Sequence, residues 1–521
     1  MAELHTLSAT TLKKMLDDGE VSSVEIVQAL HARADEVEPR VGAFSHQLRR
    51  ESLAAAEASD AERAKGDATG MLHGLPMTVK ENIDTEGLAS TLGMRSRENL
   101  PAPQDAVTVR VAKAEGALVL GKTNVPQSLL APMETTNAIF GTTHNPWRHG
   151  HGPGGSSGGE GAAIASGTSL FGIGTDIGGS IRTPAAFCGI VGIKPTRNRW
   201  SNVGSNGVLA GQELVQSQVG PMARTTDDLI LLMEALRSPA QAALDPAVPP
   251  LPLGDVRDID ATKLTVGFFE DDGWLTPAAS VRRGVREAVR LLEDAGARVV
   301  RFEPQHVEEI LFLYFRGLTA DGTETLFEAL DGESFIQPLR TLARMARMPK
   351  QARTGLAKAL RLMGENRVPQ LLEAMGEKRV KDFWSMAARR TALRREELGE
   401  WDRKGIDVLL CPSYATPAAP QGMSHDFTIG FVDLARFNLL DMPAGVVPIT
   451  RVRPDEIHRS GIRDRVDKRA AQIEAESTGL PVGVQVVGRP WREDQVLATM
   501  RFLEERAREG EAFPVTPLDP R

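Results

Sequence analysis

Three serines and one lysine hold the reactive chemistry of this sequence. Ser156 and Ser157 lie in a first burst of glycine, Gly152–Gly161, and Ser180 closes a second, Gly172–Gly179. Glycine clustered this densely lets the backbone turn sharply or approach a ligand closely. A hydroxyl held in such a turn can serve as nucleophile, proton relay or phosphate cradle. As a nucleophile it needs a base, and donors aimed at the oxyanion that forms.

Two of the serines fit the G-x-S-x-G pattern of a nucleophile elbow, Gly154–Gly158 around Ser156 and Gly155–Gly159 around Ser157. An elbow follows a strand. The upstream run HNPWRHGHGP cannot be a central strand, so this match is set aside. Ser180 has the better setting. The apolar run LFGIG precedes it, and the turn TDIGG can aim successive N–H groups into one concavity that suits an anion. Ligands of open α/β sheets meet the strand ends where such turns sit. Lys80 ends the short run Pro76–Val79 inside a polar turn. It acts as a base only when neutral, so burial must lower its pKa by roughly 2–3 units. A second serine hydroxyl between Lys80 and Ser180 could pass the proton. His144, His149 and His151 lack ligand-like spacing and read as loop residues.

The elements that must position these groups alternate in type. Residues 8–65 have helical spacing, with Ser8 and Ser22 where N-caps belong. Strands follow at Pro76–Val79 and Ala117–Leu120, with a helix at Ala106–Glu115 between them. Residues 135–155 read as loop, Gly159–Gly167 as a small-residue helix and Leu170–Gly174 as a strand. A helix at Thr225–Leu236 ends near the Pro-rich stretch Pro239–Pro252. Strand 264–269, helix Val281–Ala295 and strand Arg298–Phe302 form a βαβ unit. Helical patterns dominate Gln305–Lys404; strands at Val408–Cys411, Ala444–Ile449 and Val482–Val487 and a helix near Glu493–Arg508 complete the chain. The expected fold class is α/β, a large mixed β-sheet core covered by helices on both faces.

Composition bounds the function. The 521 residues are 41% hydrophobic and 25% charged, as in a globular chain. The net charge of −8 argues against a nucleic acid partner bound through the overall field. The two cysteines, Cys188 and Cys411, lie in apolar runs and suit a reducing compartment. No export signal or membrane-spanning run is expected, so the default location is cytoplasmic. Nothing calls for a metal or organic cofactor.

One segment departs from this acidic balance. Arg340–Lys381 holds eleven Lys and Arg against three Glu, with Leu339, Leu342, Met345, Ala346, Leu356, Ala359, Leu360 and Met363 at roughly helical spacing. A basic amphipathic helix can lie on an anionic membrane surface. It can equally pack its apolar stripe on the protein body. An RNA contact is disfavoured, because no aromatics are interleaved for base stacking.

GGSSGG, then GTDIGGSIR some twenty residues on, with the VKENID lysine upstream, resemble the signature of the amidase signature family. The resemblance extends to NVPQS (124–128), HNPW (144–147), PAAFCGIVGIKPT (184–196), GPMARTTDDL (220–229), DVLLCP (407–412), DMPAGVVPIT (441–450) and GLPVGVQVVGRPW (479–491). It thus covers most of the chain. PGGSSGGEGA, TDIGGSIRTPAAFCGI and DMPAGVVPIT are most similar to the fatty acid amide hydrolase branch. The resemblance implies one amidase signature domain over 1–521, with a helical insertion or cap at 335–385. It implies Ser180 as nucleophile, Lys80 as base and Ser156 as relay after a cis Gly155–Ser156 peptide. It also implies N–H groups of Ile177, Gly178, Gly179 and Ser180 at the oxyanion, Ser157 supporting Lys80 by hydrogen bonding, and Leu129 beside the substrate acyl chain.

The expected activity is hydrolysis of N-acyl amides, preferably with long acyl chains, through an acyl-enzyme. The alternatives are a short-chain, aryl or peptide amidase, an amidotransferase subunit, or an inert lipid- or partner-binding module. Expected partners are a small-molecule amide, which the branch implies is a lipid, and a membrane surface touched through 340–381. A homodimer is compatible with the sequence.

Overall fold

Alternation along single strands shows how the sheet is covered. In Val408–Pro412, Val408 and Leu410 join one buried apolar cluster while Leu409 and Cys411 join another. Val447 and Ile449 separate from Ala444 and Val446 in the same way, and Val484 and Val486 from Val487. Side chains two apart share a face, so each cluster fills one side of the sheet beneath its own layer of helices. In the computed structural model, residues 3–424 and 427–520 are described.

The strands are β1 (Phe44–Gln47), β2 (Pro76–Lys80), β3 (Leu118–Thr123), β4 (Thr135–Asn137), β5 (Gly141–Thr143), β6 (Phe171–Asp176) and β7 (Val191–Lys194). They continue with β8 (Gln218–Ala223), β9 (Thr265–Phe268), β10 (Arg298–Arg301), β11 (Val408–Pro412), β12 (Ala444–Arg451) and β13 (Pro481–Gly488). Among the described residues, eleven of them form one sheet in the order β1-β3-β2-β6-β8-β7-β12-β13-β11-β9-β10. β2 runs parallel to β3 and to β6, and β9 parallel to β10 and β11; the other pairs are antiparallel. The mixed sheet therefore places Lys80 and Asp176 at the carboxyl ends of adjacent parallel strands. Ser8 and Ser22 cap the helices Ala9–Asp17 and Ser23–Val41 through the N–H groups of Thr11 and Glu25.

Several short elements differ from the expectation. β1 interrupts the helical 8–65 region; it is four residues long, polar and at the sheet edge, so no apolar period marks it. β4 and β5 form a hairpin inside the expected loop 135–155. β7 and β8 went unread. β8 carries Gly220 and Pro221, residues that argue against an interior strand. It is nevertheless paired on both sides, with β6 and β7.

The basic segment folds as helices Gln337–Ala346, Lys350–Leu362 and Arg367–Ala374, leading into Val380–Lys404. Among the contacts that fasten it, two are made by buried side chains. The buried Gln127 donates from Nε2 to the Ser334 carbonyl at 3.1 Å and accepts the Ile336 N–H at 3.0 Å. Arg367 is buried against Asp464, at 2.8 and 2.5 Å, and against Asp467 at 2.8 Å. The expected apolar stripe is split, because the chain breaks between helices near Met348–Pro349. Leu339 and Leu360 are buried, Leu356 and Met363 are exposed, and Ala357 rather than Ala359 turns inward.

The helix Gly158–Ser166, built of small residues, lies tight against β3. A Cβ at Gly159 would sit 2.4 Å from the Asn124 nitrogen and 2.6 Å from the Ala43 oxygen, both backbone. Gly159→Ala should therefore destabilise the protein by roughly 1–3 kcal/mol or more, measured as a fall in the urea midpoint. An unchanged midpoint would refute the close approach.

Candidate active site

Lys80 ends β2 and is fully buried. Its Nζ donates to Ser156 Oγ at 2.8 Å, to Thr175 Oγ1 at 2.8 Å and to the Thr175 carbonyl at 3.3 Å. Burial pushes its pKa down to about 7, against the opposing pull of Asp176, Glu160 and Glu81. A lysine so placed is close to balance between its charged and neutral forms at neutral pH, as a general base requires.

The peptide Gly155–Ser156 is cis. Side chains are excluded just before Ser156: a Cβ at Gly155 would lie 2.1 Å from the Ala131 carbonyl oxygen, and one at Gly154 2.8 Å from the Pro184 nitrogen. The Ser157 N–H donates to the Ser180 carbonyl at 3.1 Å, which staples the first glycine turn to the second. Ser156 is buried and Ser180 half-buried, so the Ser180 hydroxyl is the more open to a substrate. Among the described residues Ser180 Oγ makes no hydrogen bond. Ser157 does not reach Lys80 as expected. Its Oγ donates instead to the Thr175 carbonyl at 3.4 Å, and Thr175, from the neighbouring strand β6, supplies the contact to Lys80.

Of the four N–H groups expected at the oxyanion, those of Ile177, Gly178 and Ser180 have no acceptor among the described residues. The Gly179 N–H is taken by Asp176 Oδ1 at 2.7 Å, because the backbone at Gly179, with φ +111°, folds back over the end of β6. A Cβ there would meet Leu434 Cδ1 at 2.5 Å, so this position needs glycine for space as well as for φ.

Asp176 organises that turn. Besides Gly179 it accepts the Ile181 N–H at 3.2 Å, Arg182 Nε at 3.0 Å, Arg182 Nη2 at 2.9 Å and Asn438 Nδ2 at 2.9 Å. Burial alone would raise the Asp176 carboxyl, yet the Arg182 guanidinium and these hydrogen bonds hold it well below the usual carboxylate range. Arg182, itself fully buried, continues to Gln485 Oε1 at 2.6 Å and the Leu434 carbonyl at 3.1 Å. On the far side Tyr314 donates to the Ile177 carbonyl at 3.3 Å. Leu129 is half-buried and lies with Leu130 against an apolar cluster of Leu92, Met94, Val208, Leu326 and Leu330.

The sequence model of the Amidase family matches residues 25–497. The chain belongs to the amidase signature family. It is 38% identical over 451 residues to fatty-acid amide hydrolase 1 of Sus scrofa, a match spanning 85% of this chain and 77% of that protein. It is 33% identical over 512 residues to fatty acid amide hydrolase 1 of Caenorhabditis elegans, spanning 96% and 88%. A solved structure of a fatty acid amide hydrolase matches with TM-score 0.83 at 26% identity, covering 97% of this chain and 85% of that one. The protein is a hydrolase that acts on amides.

The site of this amidase contains residues that had no role assigned from sequence. Thr175, Asp176 and Arg182 sit in the GTDIGGSIR run itself, where the glycines and Ser180 drew attention away from the polar residues between them. Asn438 and Gln485 arrive from segments 262 and 303 residues from their partners and carry no local signal.

A catalytic base at the position of Lys80 predicts a pH dependence. Below about 7 Lys80 keeps its proton and takes no other; above that value it is neutral. Amide hydrolysis should therefore rise with pH through this range, and a kcat/KM profile from about pH 5 to about pH 9 tests it. A rate that does not change across this interval would contradict the lysine's role.

Proposed function

We propose that this amidase hydrolyses N-acyl amides with long acyl chains through an acyl-enzyme formed on Ser180. The 2.8 Å bond from the fully buried Lys80 to Ser156 Oγ, beside three free N–H groups, is the observation that carries the proposal. Neutral Lys80 takes a proton from Ser156 as Ser156 takes one from Ser180, and the Ser180 oxygen attacks the amide carbon. The N–H groups of Ile177, Gly178 and Ser180 receive the negative oxygen of the tetrahedral intermediate. The same relay, run backwards, protonates the leaving amine. Water then attacks the ester, with Lys80 again as base; the bond to Ser180 breaks, the relay returns the proton to the Ser180 oxygen, and the carboxylic acid leaves.

Three features support a lipid acyl group. The relatives named above are fatty acid amide hydrolases. The helix Val307–Leu318 touches the oxyanion turn through Tyr314. About 6 Å further along that helix, Gly317 and Leu318 line a cavity of about 320 Å³ with Leu209, Ala320, Val380 and Phe383. Val380 of that lining, Trp384 four residues on, and Leu362 and Met363 at the end of the helix Lys350–Leu362 are 67%, 70%, 90% and 75% exposed. Arg344, Lys350 and Lys358 form no ion pair among the described residues. Apolar tips among free cations suit an anionic bilayer. On this reading the protein is cytoplasmic and meets membranes peripherally; among the described residues no helix is long and apolar enough to cross one.

A fluorophosphonate probe should label the wild-type protein, and Ser180→Ala should abolish labelling; a labelled mutant would show that the nucleophile lies elsewhere. Hydrolysis measured across acyl chain lengths, with and without anionic vesicles, should favour long chains and gain from vesicles. A preference for two-carbon acyl groups that vesicles leave unchanged would remove the lipid assignment.

A further inference from the structure

Glu160 lies on the helix that follows Ser156 and Ser157, fully buried, and forms no ion pair among the described residues. Its Oε1 accepts from Thr78 Oγ1, and its Oε2 accepts from Thr123 Oγ1 at 2.6 Å. Both threonines flank Lys80. Thr78 precedes it by two residues in β2, on the same face of the sheet, and Thr123 is its direct partner in β3. Thr78 Oγ1 is also bonded to Ser169 Oγ at 2.8 Å. Space for the carboxyl exists because residue 172 is glycine: a Cβ there would lie 1.8 Å from Glu160 Oε1. The sequence thus places a carboxyl, two hydroxyls and a missing side chain together beneath Lys80. Structural pinning alone would not require a carboxyl: an amide or hydroxyl could engage the threonines without the cost of a buried charge.

We propose that Glu160 is a positioning residue for Lys80: it pins β2 and β3 to the serine-bearing helix and adds, to the charge of Asp176, a second buried negative charge against which the lysine gains its proton. This rests on the assignment of Lys80 as base. When Lys80 draws the proton of Ser180 through Ser156, a positive charge appears in the interior. A nearby carboxylate lowers the cost of that charge, and the proton itself stays on Lys80. Burial pushes the Glu160 carboxyl up to about 7, with Thr123, Thr78 and Lys80 acting the other way. The two groups therefore titrate as a coupled pair.

The other charged groups around Lys80 are already engaged. Glu81 on its own strand accepts the N–H groups of Thr91 and Leu92. Lys122 of β3 donates to the Ala89 carbonyl and Ser90 Oγ. Asp176 of β6 is paired with Arg182, and Lys194 of β7 donates to the Pro195 carbonyl. Behind the Gly158–Ser166 helix, Arg33 donates to the Ser166 carbonyl and Glu38 accepts the N–H groups of Ala43 and Phe44.

The test reads the rate of Ser180 labelling by a fluorophosphonate against pH, so it needs no knowledge of the substrate. Glu160→Gln keeps the volume and removes the charge. Without that charge protonated Lys80 is less favoured, so the acid limb should move to lower pH by about one unit. Glu160→Asp should leave the limb near its wild-type position even where the rate falls. Thr123→Val removes one hydroxyl that stabilises the carboxylate and should move the limb in the same direction; it decides the matter if Glu160→Gln does not fold. A limb that stays in place or moves to higher pH in the folded variants would overturn the inference. Lys80→Ala separates the two levels: if it retains the wild-type limb, the base assignment fails and takes Glu160 with it. If it abolishes labelling while Glu160→Gln leaves the limb unmoved, only the role of Glu160 fails.

Discussion

The burial of one ammonium group shapes the centre of this protein. A lysine removed from water keeps its charge only if the surroundings replace hydration, and loses it readily if they do not. Lys80 stands between these limits. Three oxygen contacts from Ser156 and Thr175 replace part of its hydration, and the carboxyls of Asp176, Glu160 and Glu81 offset part of the desolvation. The parallel pairing of β2 with β6 brings the Thr175 hydroxyl and carbonyl to the lysine, and the glycine turn brings the Ser156 hydroxyl.

The oxyanion turn is held by a different principle. There a full ion pair, Asp176 with Arg182, is buried and saturated with further donors and acceptors from Asn438, Gln485 and the backbone. Such a pair contributes little net stability, but it is costly to break and therefore fixes geometry. The carboxylate uses two of its sites on backbone N–H groups of the turn, at Gly179 and Ile181, and so leaves the intervening N–H of Ser180 pointing elsewhere. Rigid charge thus orients the donors, while the tunable charge sits one strand away.

The parts legible in sequence were those encoded locally. Two glycine bursts and a lysine at a strand end singled out Ser180 and Lys80 as candidates, the relay role of Ser156 came only with the family resemblance, and long apolar runs gave β6, β11, β12 and β13. β8 was hidden by Gly220 and Pro221, and β1 by its brevity and polarity. Thr175 was harder for a different reason. Its role follows from strand adjacency across β2 and β6, which no spacing within either strand reveals. The same holds for Asn438 and Gln485, whose partners lie across the fold. The single stripe read along the basic segment failed because periodicity was carried across a helix break.

That basic segment is clamped at both ends. Gln127 grips the backbone at Ser334 and Ile336, and the Arg367 guanidinium is locked between Asp464 and Asp467. The helices between these points form an arch with two buried feet, and further contacts join it to the body, Arg347 over Phe327 and Glu365 with Arg465 among them. One foot is continuous with Ser128 and Leu129, and Leu129 packs against the Leu92–Leu326 apolar cluster. The other is an ion pair that costs about 3–5 kcal/mol to break from one side. The two feet thus differ in kind: one is a pair of neutral hydrogen bonds, the other a buried ion pair.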